Sequence, residues 1–168
     1  MKWTIIILIM MSFIGSMMWM MPSPRERFQA KLRLHARSLG YNVQLVRLTT
    51  PRASGETEPE EITVPAYRLA RSNLDRKESE ALVPWQVHRV SSIASDGLPD
   101  GWSWARGEHA LAEDQLATIA QVLAGLPEDA VALESSPVQV SVYWHENGTM
   151  ETLDLLKTQL QQIMDARF

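Results

Sequence analysis

The chain has 168 residues and no cysteine, which excludes disulfides and thiolate metal sites. Its formal net charge of -4 is unevenly spread, with +4 on residues 22–40 and -9 on residues 41–168. So acidic a body lacks the basic face that nucleic-acid phosphates demand, and no nucleic-acid partner is expected.

Residues 3–21, WTIIILIMMSFIGSMMWMM, hold no formal charge. As a helix rising about 1.5 Å per residue they would reach roughly 28 Å, close to the hydrocarbon thickness of a bilayer. Trp3 and Trp19 sit near the two ends, where indole rings prefer the headgroup level. A cleaved signal peptide is the competing reading, with Lys2 as the positive region and residues 5–14 as the apolar one. No A-x-A-like site follows, and Met17, Met18, Trp19, Met20 and Met21 prolong the apolar run, so a retained transmembrane anchor over residues 1–21 is expected. Ser12, Gly15 and Ser16 fall on one side of that helix and offer a small-residue face for helix packing, although such spacing also arises by chance. The methionines read as flexible apolar filling.

Only Lys2 precedes the run, whereas Arg25, Arg27, Lys31, Arg33 and Arg37 follow it. This asymmetry predicts the N-terminus outside and the C-terminal body in the cytoplasm. Ser23, Pro24 and Glu26 form a helix start with a capping box, and Gly40 suits the stop. Between them Phe28, Leu32, Ala36 and Leu39 recur on one side and the basic residues on the other, predicting a basic juxtamembrane helix over residues 22–40. Arg25, Arg27, Lys31, Arg33 and Arg37 are candidate contacts to anionic lipid, and the apolar stripe is a candidate cover for the sheet that follows; the two readings are compatible.

Residues 41–168 suit one soluble domain. Residues 41–48 and 62–70 have strand composition, the second with Pro65, which points to an edge or a bulge. The charged segment 71–81 is a loop or a single helical turn, and residues 82–90 alternate as a third strand. Residues 91–109 form the least regular stretch, punctuated by Gly97, Pro99, Asp100 and Gly101. Helical period governs residues 111–124, two strands follow over 130–134 and 138–144, and a last helix starts after Thr149. This order predicts an α+β domain, a mainly antiparallel sheet of about five strands with two helices on one face.

No motif names a chemistry. His35, His88, His109 and His145 share no zinc-pair spacing, so neither a metal nor a cofactor is expected. Glu108–His109 and His145–Glu146 are neighbours that point opposite ways on an extended chain, and each is explained as surface. No catalytic residue is assigned. In Gly101-Trp102-Ser103-Trp104 the two indoles project the same way from an extended chain; exposed, Trp102 and Trp104 would contact a partner, and otherwise they cap the core.

The opening layout, one span followed by MPSPRER and Lys31, resembles that of the YajC-type accessory subunit of the bacterial preprotein translocase over roughly the first 40 residues. The resemblance implies an inner-membrane accessory protein without catalysis, although this body is longer and has more helices. The expectation is therefore a bacterial single-pass inner-membrane protein whose cytoplasmic domain binds a protein partner, within an envelope or translocation complex. The alternatives are a membrane-tethered enzyme or small-ligand binder using the Trp102 to His109 loop, or a domain translocated outside the cytoplasm.

Overall fold

The computed structural model describes residues 2–19, 22–56, 58–72 and 74–167, and side chains are described outside residues 17–19. Trp19, expected to mark one membrane interface, and Met20 and Met21 of the expected span therefore lie outside the described side chains or residues. Two compact units result, Met1–Lys31 and Leu32–Phe168.

The first helix is α1 (Lys2–Trp19). Among the described residues no helix is long and apolar enough to cross a membrane. The next, α2 (Pro24–Ser38), starts where the capping signals predict: the Glu26 amide donates to Ser23 Oγ at 3.2 Å and the Ser23 amide to Glu26 Oε2 at 2.6 Å. It ends in a Schellman motif, with Gly40 at φ 94°, the Tyr41 amide on the Ala36 carbonyl and the Gly40 amide on that of Arg37. Leu32 and Ala36 are fully buried in the core of the body, which is why the unit boundary falls inside this helix.

The body is an α+β fold with a six-stranded antiparallel sheet. Its elements are β1 (Asn42–Thr49), β2 (Glu61–Ala70), α3 (Arg76–Ala81), β3 (Trp85–His88), β4 (Ser103–Arg106), α4 (Glu113–Gly125), β5 (Ala130–Ser135), β6 (Gln139–Trp144) and α5 (Met150–Ala166). The strands lie in the order β1-β2-β6-β5-β3-β4. The sixth strand, β4, comes from the stretch that sequence punctuation marks as irregular; at four residues it is too short to show a period. Beside it, Gly107 holds φ 91°, and a Cβ there would stand 2.6 Å from that of Trp85, so the chain can pass this close only with glycine.

β2 runs between β1 and β6, but at Pro65 it is paired on the β1 side alone, so the proline marks a local edge of an interior strand. Its pairing with β6 begins at Ala66, one residue beyond the proline, so the missing amide falls outside that ladder.

One face of the sheet carries the main core. There Tyr67, Trp85, Val87, Leu133, Val140, Val142 and Trp144 meet Leu32 and Ala36 of α2, Ile119 and Leu123 of α4, and Leu153, Leu156, Leu160 and Ile163 of α5. The period-2 alternation of β6 and the three-and-four spacing of α5 put these residues inward, and each buried large side chain contributes about 2 kcal/mol. The two helices predicted to cover this face are joined by the second half of α2. The opposite face has a smaller cluster built from Leu48, Val64, Ala66, Ala132 and Tyr143, all on strands.

Candidate functional site

Antiparallel register aligns residues of one face in rows across the strands. On the face away from the helical core, Asn42 stands opposite Arg68, Arg68 opposite Ser141, Ser141 opposite Glu134, Glu134 opposite Gln86, and Gln86 opposite Arg106. A single polar row thus crosses all six strands, with a cation on β2, an anion on β5 and a cation on β4. Strand alternation turns Tyr67, Leu133 and Val87, their neighbours in sequence, into the main core, and on β4 a bulge sets Arg106 opposite Gln86 while Trp104, two residues earlier, faces Val87 in that core.

The row is partly organised from within. Arg68 Nη1 donates to Gln44 Oε1 at 2.7 Å, and the Tyr143 hydroxyl donates to Glu134 Oε2 in a short hydrogen bond. Burial, and next the bond to Glu134, push the Tyr143 phenol well above its ordinary value, so it remains a donor at neutral pH. Ser141, in the middle of the row, is fully buried, and its Oγ has no hydrogen-bond partner among the described residues. Next to the row, His88 is also fully buried, with neither ring nitrogen bonded, and burial pushes its imidazole down to about 4. It is neutral at physiological pH and sealed from solvent, unfit to exchange protons with a substrate.

At the main-core side, a second polar group ties the end of β6 to α2. Arg33 donates from Nε and Nη2 to the two oxygens of Glu146, both at 2.7 Å, and the Tyr67 hydroxyl donates to Glu146 Oε1 at 2.7 Å. Burial and the bond to Glu146 raise the Tyr67 phenol, while the same carboxylate raises the Arg33 guanidinium. Glu146 was expected on the surface; it is buried, and its φ of 60° lies in the left-handed region that costs a non-glycine residue about 1 kcal/mol. The bidentate pair and the phenol together hold it there. Its partners lie 113 and 79 positions away, so no local signal in the sequence marks the group.

The other sequence candidates are placed as follows. Trp102 and Trp104 do project the same way, but into the core, each only 4% exposed. Arg89 lies over the Trp102 ring at 4.8 Å, Trp104 packs edge-on against Trp85, and its Nε1 donates to the Asp96 carbonyl. Neither indole is available to a partner in this structure. The adjacent cleft, lined by Ser91, Ser92, Ser95, Asp100 and others, holds about 160 Å³, below the roughly 300 Å³ at which small-molecule pockets begin. His109 lies in the open beside Asp96, its Nδ1 3.2 Å from the carboxylate.

Ser12, Gly15 and Ser16 are exposed on α1, and among the described residues no atom stands within 4 Å of where a Cβ on Gly15 would lie. Arg25, Arg27, Lys31 and Arg37 are exposed on α2, whereas Arg33 is taken up by Glu146. Among the described residues no group of three or more His, Asp and Glu side chains could hold a metal ion.

Across its described residues the row offers mixed-charge hydrogen bonding over a broad sheet face. No family model matches the chain, and no curated protein or solved structure matches it, so its functional reading rests on these residues themselves.

Proposed function

We propose that this is a single-pass protein of the bacterial inner membrane, with its N-terminus outside, whose cytoplasmic α+β body binds a protein partner and catalyses nothing itself. The observation that carries the reading is α1. Its apolar side chains are exposed on every side of the helix, from Trp3 at 78% and Leu8 at 70% to Met11 at 70% and Phe13 at 68%. A helix apolar all round needs a non-aqueous surrounding, and a bilayer supplies one. The described side chains of α1 stop at Ser16, and the sequence stays apolar for five residues more, to Met21. The charge asymmetry around the run supports the orientation, and the layout shared with the YajC-type subunit supports a role as accessory to an envelope or translocation complex.

The partner surface in this proposal is the polar row on the sheet face opposite the helices. Its alternating Arg68, Glu134 and Arg106 suit a partner with complementary charges, which fix register and exclude wrong partners. A photo-crosslinking side chain at Gln86, in the full-length chain in cells, is expected to capture one defined protein. The same group at Gln121, exposed on α4, is expected to capture none. Equal capture from both positions, or capture from Gln121 alone, would remove this face from the account.

A further inference from the structure

We infer that the outward side of α2 lies on the headgroups of an anionic leaflet, with Leu34 inserted among them and Arg27, Lys31 and Arg37 on the lipid phosphates. The inference rests on the reading of α1 as a membrane anchor and adds an occupant for a surface which that reading leaves open.

Arg27, Lys31 and Leu34 are spaced four and three apart, with Arg37 three further on, so the helical period collects them in one stripe. All four are exposed, Leu34 at 68% although it is large and apolar. The opposite side of the same helix is accounted for, since Leu32 and Ala36 are buried in the core and Arg33 grips Glu146. Of the five cations expected at lipid, the structure withdraws Arg33, and the helical period turns Arg25 to another side of α2, so Arg27, Lys31 and Arg37 give the stripe +3. An apolar side chain flanked by cations is the pattern of a helix lying in a membrane interface.

Two facts select a lipid surface as the occupant. Residues 20–23 are all that separates α1 from α2, and at about 3.5 Å per extended residue they reach no further than roughly 14 Å. With α1 in a bilayer, α2 must begin at its surface. The charges are also complementary in sign: the stripe is positive, whereas residues 41–168 carry -9 and are repelled by an anionic leaflet.

The absence of cysteine makes a single reporter clean. The full-length chain, with Leu34→Cys carrying an environment-sensitive fluorophore, is mixed with vesicles of phosphatidylcholine alone or of equal parts phosphatidylcholine and phosphatidylglycerol. Each preparation is floated, and its fluorescence is quenched from within the bilayer. The expected result is flotation with both lipids, quenching at position 34 only with phosphatidylglycerol, and none with the fluorophore at Gln121→Cys. Removing the three charges together (Arg27→Gln, Lys31→Gln, Arg37→Gln) is expected to lower the ratio of docked to undocked helix about 100-fold, at about fivefold per charge. Flotation with position 34 unquenched, or quenched equally in both lipids, would overturn the lipid contact and leave the anchor standing. Failure to float with phosphatidylcholine would overturn the anchor, and this inference with it.

Discussion

Arg33→Met should lower the stability of the body by about 3 kcal/mol, the largest loss expected from any single substitution on its polar surface. The asymmetry of the pair decides which partner matters more: the Glu146 side chain is 1% exposed, that of Arg33 41%. Removing the arginine strands a carboxylate that water cannot reach, with only the Tyr67 hydroxyl left to stabilise it. Removing the carboxylate instead leaves a guanidinium that can still hydrate, so Glu146→Gln should cost less, about 1–2 kcal/mol. The double variant should recover part of the loss, because no buried charge then remains. Thermal unfolding of the detergent-solubilised chain, followed by its buried tryptophans, would read all three. A loss from Arg33→Met no larger than that from Glu146→Gln would contradict the order.

The second large effect depends on pH. His88 titrates at about 4 in the folded chain against an ordinary value near 6.5, because the core withholds water from its cation. The unfolded chain therefore binds the proton more readily between those values. Stability from this group is fully present above pH 6.5 and is lost as pH falls towards 4, by about 3 kcal/mol in all. Wild type compared at pH 7 and pH 4.5 should lose about 2.5 kcal/mol more than His88→Leu does over the same interval. The carboxylates titrate alike in both proteins, so the difference isolates the imidazole. Equal losses would show that His88 is protonated without opening the core.

What could be read from the sequence was local. The Ser23–Glu26 capping box, the Gly40 stop, the alternation of β6 and the spacing in α5 each lie within a few residues, and the structure has them where the residues place them. β4 escaped because four residues between turn signals carry no period, and Pro65 signalled an edge that is local, because an interior strand can stop pairing on one side just where the proline falls. Arg68, Glu134, Gln86 and Arg106 were each visible as polar positions, but their alignment in one row depends on four ladders that no single strand encodes. The Arg33–Glu146–Tyr67 group was illegible for the same reason, and Trp102 and Trp104, the most conspicuous local pair, turned out to be core.

The division of labour in the proposed function is an apolar helix whose described side chains are exposed, a cationic stripe next to it in sequence, and an acidic body with one polar sheet face. In that proposal all three are set by where the chain sits relative to a bilayer. The most direct test is a pair of C-terminal fusions to the full-length chain in a bacterium, alkaline phosphatase in one and green fluorescent protein in the other, each followed by alkaline extraction of membranes. The expected result is an inactive phosphatase, a fluorescent green protein and a chain that stays in the extracted membrane pellet; an active phosphatase, or release of the chain by alkali, would contradict the proposed topology.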